Sequence, residues 1–524
     1  MVQTNAENRK IPNPSLTGAT QVFSPQIRRK LEFSSIIPYN NSTVGLCATK
    51  AAVWVYSHAV FILFFSPGGF IMIKELSISG FRGFGQTQTV KFSIPDKEHI
   101  GSGLTIITGA NNAGKTTIIE SIRAFIGNDS PSFSEGKRNQ MTDGKIALAL
   151  TDENDKTYTI TSVPGGGSST EKSESFALKH YVLPSRRAIP FDFSKGQWDR
   201  DTYISAAQKL ESQRGSSLSN FESRIFQIER QKEAFDAVIT RVLGSDFQWT
   251  VEQRDTGKYY IKYTKNGVSH SSEGVGDGIW SIFTICAAQF DAPEEGVIVI
   301  DEPELSVHPA LQKRLMMLFL EYSITRQIIV CTHSPYFVNW EAIVNGANLI
   351  RVVKEGAVSK CYMISNECRS SFGGILRDLN NPHTLGIEAN EAFFLEDSII
   401  LVEGQEDVVI FNKMTQKLNM TLQGNFFGWG VGGAPKMKAF LILFKDLGYK
   451  KIVAVLDGDK ADDAEKLRAE FSEYKIITLK EDDIRDKKAR EIQAKSGITD
   501  EKGNYKEEHK EYIIGLINEI NSAL

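Results

Sequence analysis

Hydrophobic and polar positions divide the chain into two runs in which short apolar strands alternate with amphipathic helices. The first run opens at Met72. Ile73, Leu76, Ile78 and Phe81 read as a strand, Gly83–Gly85 as a turn and Thr89–Ile94 as a second strand. A third strand, Leu104–Thr108, leads into a Gly-rich segment, and Thr117–Gly127 reads as a helix. Residues 162–174 (SVPGGGSSTEKSE) read as a flexible loop, Tyr203–Leu243 as a charged helical subdomain and Phe247–Thr264 as a hairpin. An apolar helix (Ile279–Gln289), a strand (Val297–Ile300), a helix from about Ala310 to Tyr322 and a strand (Gln327–Cys331) follow. This alternation predicts a largely parallel, three-layer α/β sheet.

The second run starts near Ser398. It reads as strand Ser398–Val402, helix Glu406–Leu418, strand Asn425–Trp429, helix Pro435–Leu447, strand Lys451–Leu456, helix Asp462–Phe471 and strand Lys475–Leu479. That order predicts a small doubly wound domain. The tail Lys480–Lys510 is dense in charge of both signs, and Tyr512–Ile520 is amphipathic.

Before Met72 the pattern is different. Residues 1–50 are rich in Asn, Ser, Pro and Thr without apolar periodicity, and read as disordered. Ala51–Phe65 is nearly all apolar but shorter than the roughly 20 residues that span a bilayer as a helix. It is open to three readings: a membrane anchor, a helix buried against the protein, or sequence upstream of a native start at Met72, which is the favoured one. The expected division is therefore an extension at 1–71, a first domain at 72–390 with its helical part at about 203–243, and a second domain at 391–524.

Composition narrows the classes. The chain has 524 residues, 41% hydrophobic and 24% charged, with a net charge of −4, so any nucleic-acid contact needs a local basic surface. Five cysteines without a C-x-x-C pair point to reduced thiols, a cytoplasmic setting and no structural zinc. One short apolar segment is a poor basis for a membrane transporter.

The segment Gly109–Thr116 (GANNAGKT) fits G-x-x-x-x-G-K-[ST] between a strand and a helix. In such a loop the backbone N–H groups approach phosphate oxygens and the helix N-terminus favours their charge. Gly109, Asn111, Asn112, Gly114, Lys115, Thr116 and Thr117 are the candidate ATP-binding residues, with Lys115 on the β- and γ-phosphates and Thr116 on Mg²⁺. Val297–Glu302 (VIVIDE) ends an apolar strand in two acids: Asp301 for the metal and Glu302 to polarise the attacking water. His333, after the strand Gln327–Cys331, is placed to sense the γ-phosphate as a neutral imidazole. Ser272 and Gly274 lie in a Gly-rich turn that precedes an apolar helix, a weaker signal for phosphate binding.

Together these features resemble the ABC ATPase family and, within it, the group related to SMC proteins and RecF. The opening IKELSISGFRGF is similar to that group's first strand, with Arg82 near the nucleotide. The resemblance implies a head-to-tail homodimer in which the signature segment of one subunit completes the ATP site of the other. The segment Ser271–Gly278 departs from L-S-G-G-Q, which weakens the assignment of Ser272, and Gln197 is a weak candidate for the Q-loop glutamine.

The second run carries separate chemistry. Ser398–Gly404 (SIILVEG) ends a strand at Glu403, and Lys451–Asp459 (KIVAVLDGD) ends another at Asp457 and Asp459. Parallel strands bring both ends to one edge. Three carboxylates that close call for a hard divalent cation, Mg²⁺ or Mn²⁺, able to assist phosphoryl displacement. Acids at helix starts are also common, so capping is the bland alternative.

This unit resembles the TOPRIM domain of topoisomerases, primases and nucleases. That resemblance implies Glu403 as general acid/base or metal ligand, Asp457 and Asp459 as metal ligands, and Asp407 and Asp463 as further ligands. An ABC ATPase followed by TOPRIM resembles the OLD (overcoming lysogenization defect) family. It implies an ATP-gated, metal-dependent DNA endonuclease of bacterial anti-phage defence, with a partner protein or RNA as a further possibility. Leu479–Lys488 is then the place for additional acidic and basic residues, among them Asp483, Arg485 and Lys487 or Lys488. The competing reading is a RecF/SMC-like DNA-binding ATPase of repair or recombination with an inactive TOPRIM domain.

Overall fold

The computed structural model describes residues 55–56, 59–60, 71–126, 129–174, 180–184, 194–207, 221–265, 267–271, 274, 276–377, 386–394, 398–488 and 494–524. The chain forms two compact units, Met1–Gly68 and Gly69–Leu524. In the first, Val55–Tyr56 and Ala59–Val60 pair antiparallel, so the described part of the apolar segment is a hairpin, not the helix that two of its readings require. Among the described residues no helix is long and apolar enough to cross a membrane.

The second unit opens with an antiparallel sheet made from β1 (Ile73–Ser79), β2 (Gln88–Lys91), β4 (Ala147–Asp152), β5 (Thr157–Ser162) and β6 (Thr170–Lys172), in the order β2-β1-β4-β5-β6. The expected loop at 162–174 is thus the far end of a hairpin: Ser162 pairs with Thr170, and Gly165 and Gly167 take left-handed backbone in the turn. Between β2 and β4 lie β3 (Leu104–Thr108) and α1 (Lys115–Phe125).

β3 belongs to a second, mostly parallel sheet with β7 (His180–Leu183), β11 (Val297–Asp301), β12 (Gln327–Cys331), β13 (Asn348–Glu355) and β14 (Val358–Met363), in the order β14-β13-β3-β12-β11-β7. Strands β7, β13 and β14 have no counterpart in the hydrophobic reading. The strands that do were legible because they are buried on both faces and read as continuous apolar runs. Val297 and Val299 face the core shared with α1 and β1, whereas Ile298 and Ile300 face the opposite core.

That opposite face is covered by α2 (Arg200–Ala207), α3 (Phe221–Glu229), α4 (Lys232–Leu243), α5 (Asp277–Asp291) and α6 (Pro309–Tyr322). Of the expected helical subdomain at 203–243, residues 208–220 lie outside the described residues and the rest is mostly helical; the hairpin β8 (Gln248–Gln253)–β9 (Tyr259–Lys265) agrees with the sequence pattern, and β10 (Val268–Ser271) adds a third strand. Inside this lobe Phe235, Trp249 and Phe283 meet edge-on or tilted, and the Arg224 guanidinium pairs with Asp291 with both side chains buried.

α7 (Trp340–Val344), α8 (Asn366–Leu376) and α9 (Ile387–Glu391) lead to the last sheet. Its parallel strands β15 (Ser398–Leu401), β16 (Asn425–Phe426), β17 (Lys451–Leu456) and β18 (Lys475–Thr478) run in the order β16-β15-β17-β18. Helices α10 (Gln405–Leu418), α11 (Ala434–Asp446), α12 (Ala461–Glu470) and α13 (Lys510–Ala523) flank it. A separate parallel pair, β19 (Asp483–Arg485) and β20 (Gly497–Thr499), stands where the sequence shows only mixed charge. This is the doubly wound arrangement expected from the alternation, with the strand at 425 shorter than read.

One core joins the two parallel sheets. Ile298 and Ile328 on one sheet and Ile399, Leu401 and Ile452 on the other belong to the same buried cluster. At its centre Trp340 stacks on Phe372 at 4.9 Å, Phe372 meets Phe440 edge-on at 5.1 Å, and Phe440 lies 4.7 Å from Phe427. Polar contacts frame the seam. The Arg351 guanidinium sits 3.6 Å over the Tyr449 ring and donates to Leu447 O, Ser365 donates twice to Asp446, and Lys450 pairs with Glu355 at 2.9 Å.

Each such ring contributes about 1.5–3 kcal/mol when buried. Residues 69–377 expressed alone should therefore expose Trp340, Phe372 and Ile375, bind a hydrophobic dye and aggregate. A monodisperse, dye-silent fragment would refute the shared core.

Candidate functional site

The nucleotide-binding segment forms because β3 stops at Thr108 and the backbone must reverse into α1. Gly109 takes φ 137°, and a Cβ there would lie 2.1 Å from Val352 O, so only glycine fits against β13. Gly114 caps α1 at φ 123°. A cleft of about 810 Å³ opens over the first turn of α1. Of the residues singled out by sequence, Asn111, Asn112, Gly114, Lys115, Thr116, Thr117, Asp301, Glu302 and His333 line it.

The strand order explains the convergence. β12 lies between β3 and β11, so the loop after Cys331 emerges between the phosphate segment and the acidic strand end. Glu302 has φ 48°, a left-handed conformation that is strained for a glutamate, and its N–H donates to Cys331 O. The Lys115 ammonium donates to Gly109 O at 2.9 Å and Ala110 O at 3.1 Å, and burial pulls its pKa down against the charges around it. Burial, helped by the Lys115 charge, lowers the His333 pKa below its ordinary value, which favours the neutral imidazole.

Several residues in or behind this cleft were not singled out by the motifs themselves. Arg82, named only through the family resemblance, lines the wall and pairs with Glu120 at 2.9 Å. Lys354 and Ser359, paired across β13 and β14, line it too. Glu304 holds the His333 loop: its carboxylate accepts from His333 N at 2.6 Å and Thr332 Oγ1 at 2.8 Å. Burial raises the Glu304 pKa, and those two donors work against the rise. The D-E-P-E spacing was the available signal for Glu304, but nothing in the sequence tied it to His333.

Gly274 does not line the cleft, Ser272 lies outside the described residues, and Gln197 is exposed and away from it. None of the described residues of the turn at 271–278 lines the cleft.

The second site forms at the carboxyl edge of the last sheet. β15 and β17 are parallel neighbours, so Glu403 and Asp457 emerge side by side. Glu403 Oε1 accepts from Asp457 N at 2.9 Å and Oε2 from Ala434 N at 3.3 Å. Asp407 caps α10 by accepting from Gly404 N at 2.8 Å, which is the bland capping role, yet it also faces the cluster. Burial, then the charges of Glu403 and Asp483, push the Asp407 carboxyl up to about 7. Burial, then Asp407, Glu403 and Asp483, push Asp457 up to about 8.

Asp483, 1% exposed, is thus a full member of the cluster. Lys487 Nζ lies 2.5 Å from it, whereas Lys488 pairs with Glu501, so the structure selects Lys487 from the basic pair. Arg485 is turned to Glu406 at 2.8 Å. Lys495, which no motif flagged, pairs with Asp459 at 2.6 Å and reaches Asp483 at 3.5 Å. Burial opposes ionisation of Asp459, but Lys495 outweighs it and holds the pKa below the usual range. Asp463 is corrected: it sits on the exposed face of α12 beside Lys466 and does not join the others, because helical spacing turns it outward.

As the side chains stand, no group of three or more Asp, Glu, His or Cys among the described residues is arranged to hold a metal ion. The reason is local: Glu403 is engaged by backbone N–H groups, Asp407 by a helix cap, and Asp459 and Asp483 by lysines. The donor set itself, oxygen only and anionic, suits a hard divalent cation.

Comparison with known proteins now decides the architecture. Residues 104–339 match the family model described as "AAA domain, putative AbiEii toxin, Type IV TA system". Residues 394–459 match the model of the "Overcoming lysogenization defect protein-like, TOPRIM domain". The chain is an ATPase domain followed by an OLD-like TOPRIM domain. Such domains bind a nucleotide and a divalent metal.

The chain is 26% identical to the Septu protein PtuA of Bacillus thuringiensis over 52% of its own length and 74% of that protein. It is 24% identical to the OLD nuclease of Thermus scotoductus over 66% of its length and 74% of that protein. Identity to the endonuclease GajA of Bacillus cereus is 28% over 37% of this chain, which spans 32% of GajA. Among solved structures, the SMC head domain from Thermotoga maritima is similar at a TM-score of 0.34, with 16% identity over 56% of this chain and 99% of that one. The SmcHead bound to the C-winged helix domain of ScpA is similar at a TM-score of 0.40, with 18% identity over 56% of this chain and 99% of that one.

Two outcomes follow. Glu304→Ala should lower ATP hydrolysis about 10–100-fold with nucleotide affinity within a few-fold, since a buried acceptor pair is worth about 1–3 kcal/mol. Hydrolysis at the normal rate would remove Glu304 from the site. Asp407 and Asp457 hold their protons more tightly folded than unfolded, where an aspartate titrates near about 3.9. Their stabilising contribution is present below that pH and lost as pH rises through about 7 and about 8. In EDTA, the melting temperature should fall between pH 6 and 9 by at least about 3 °C more in the native protein than in Asp457→Asn. Coincident profiles would contradict this.

Proposed function

We propose that the chain is an ATP-hydrolysing, divalent-metal-dependent DNA endonuclease of the OLD type, acting in bacterial anti-phage defence. The observation that carries the reading is the pairing of Glu403 and Asp457 at adjacent strand ends, within a cluster that also contains Asp407, Asp483, Lys487 and Lys495. The names of the OLD nuclease and GajA relatives point the same way.

In this reading Glu403, Asp407, Asp457 and Asp459 hold Mg²⁺ or Mn²⁺, which supplies charge neutralisation and an activated water when bound. Glu403 is also placed to act as general acid/base. Lys487 and Lys495 stabilise negative charge on the phosphoryl oxygens as water displaces one ester oxygen, leaving a phosphate on one strand end and a hydroxyl on the other.

At the first site Lys115 turns from Gly109 O and Ala110 O to the β- and γ-phosphates of ATP, and the main-chain N–H groups of Gly109–Thr117 surround them. Thr116 and Asp301 hold the accompanying Mg²⁺, Glu302 polarises the attacking water, and neutral His333 reads the γ-phosphate. The same proposal includes a cytoplasmic homodimer in which Ser272 and Gly274 of a second copy complete the cleft. That Gly274 is not among the residues lining the chain's own cleft is consistent with this. DNA is the substrate, and a partner protein or RNA of a defence system is left to the same test.

The test is plasmid nicking with Mg²⁺ or Mn²⁺, with and without ATP. Glu403→Ala and Asp457→Ala should each reduce cleavage at least about 100-fold, and Lys115→Ala should abolish ATP hydrolysis. Undiminished cleavage by both pure carboxylate variants would sink the proposal. The engagement of both Glu403 oxygens by backbone favours a second reading, a DNA-binding ATPase with a structural TOPRIM domain. It predicts DNA-stimulated ATP hydrolysis and no cleavage in any metal.

A further inference from the structure

The His333 loop packs against α9, the short helix that leads into the TOPRIM domain, and one buried side chain of α9 bonds directly to the loop backbone. Asn390, 6% exposed on α9, donates from Nδ2 to Pro335 O at 3.1 Å and to Val338 O at 3.0 Å. Its Oδ1 is buried with no hydrogen-bond partner. An apolar side chain of the same size would avoid that unpaired acceptor. The amide thus acts as a double donor, clasping the backbone just past His333, and Glu304 clasps the same loop at Thr332 and His333.

The other side of α9 leads to Glu403. Ala389 is fully buried against Gly428: a Cβ on Gly428 would lie 3.3–3.4 Å from Ala389 N, Cα and Cβ. Gly428 begins the segment 428–434, in which Gly428, Gly430, Gly432 and Gly433 all take left-handed backbone. A Cβ on Gly430 would come within 2.6 Å of Gly404 Cα. Gly432 N and Gly433 N donate to Glu403 O at 2.9 and 2.8 Å, and Ala434 N donates to Glu403 Oε2. The segment therefore touches the helix of Asn390 at one end and both the main chain and the carboxylate of Glu403 at the other.

The aromatic seam also ends at Phe427, beside Gly428, but it starts from Trp340, past the loop; the polar docking contacts do not reach the segment. Arg351 and Glu355 meet Leu447, Tyr449 and Lys450, at the start of β17 and a full strand away from Asp457. They hold the domains together without meeting a carboxylate of the cluster.

We propose that Asn390 is a positioning residue for Glu403: it ties the His333 loop to segment 428–434, so that a nucleotide-dependent shift of the loop changes how Glu403 is held. The consequence for cleavage rests on the nuclease reading above; the linkage itself does not. Coupling of this kind is a free energy between two sites carried by an element with two arrangements, which four left-handed glycines allow.

The experiment compares the full chain with Asn390→Leu, and with the milder Asn390→Ser, whose one short donor cannot span both carbonyls. Amide hydrogen exchange is followed at residues 109–117 and 428–434 with and without magnesium–ATPγS, and plasmid nicking is measured in parallel. In the native chain the nucleotide should change exchange at 428–434 at least about 3-fold, and in the variants by less than about 1.5-fold, with equal protection at 109–117. The ratio of nicking rates with and without nucleotide should collapse toward one in the variants while ATP hydrolysis stays within about 3-fold. A native-size response at 428–434 in either variant overturns the proposal, as does a native chain protected at 109–117 but silent at 428–434. If the native chain cuts no DNA in any metal yet the response depends on Asn390, the linkage stands and the nuclease reading falls.

Discussion

The structure depends on one buried aromatic seam. Trp340, Phe372, Phe440 and Phe427 pack in series between two parallel sheets that would otherwise each expose an apolar face. Because protein interiors are close-packed, a seam of this kind transmits displacement instead of absorbing it. It fixes α9 between the His333 loop and the glycine segment at 428–434. The two sites are therefore not independent modules on a flexible linker; residues 69–524 form one compact unit.

Both sites obey the same topological rule: functional side chains collect where parallel strands end. In the ATPase half the ends of β3, β12 and β11 supply the phosphate segment, His333 and the Asp301–Glu302 pair. In the TOPRIM half the ends of β15 and β17 supply Glu403 and Asp457. The electrostatics differ. In the first cleft a buried lysine and a neutral histidine face acids across open space, an arrangement ready for an anion. In the second, burial first and then the charges of neighbouring carboxylates make two carboxyls favour their protons near neutrality, an arrangement ready for a cation.

The lysines of the second site were not readable in advance, for a definable reason. Lys487 and Lys488 are adjacent and chemically equal, and only the parallel pairing of β19 with β20 points one to Asp483 and the other to Glu501. Lys495 reaches Asp459 from 36 residues away along a segment with no motif. Asp463 fails in the opposite sense. Its sequence neighbourhood matches Asp407, yet Asp407 turns back to cap its own helix beside the cluster while Asp463 projects to solvent.

What the sequence determined by itself was local chemistry tied to short-range order. Glycine spacing before a helix specifies a phosphate loop, and apolar runs ending in acids specify buried strands with active ends. Two such pairs identified an ATPase followed by TOPRIM. The tertiary structure alone decided which distant groups share a site: Glu304 with His333, Asp483 and Lys495 with Asp459, and Asn390 with the backbone past His333. Those contacts join residues far apart in the chain, and a hydrogen bond between them leaves no periodicity to read. Their partners are chosen by strand order and by the aromatic seam, which exist only once the chain has closed on itself.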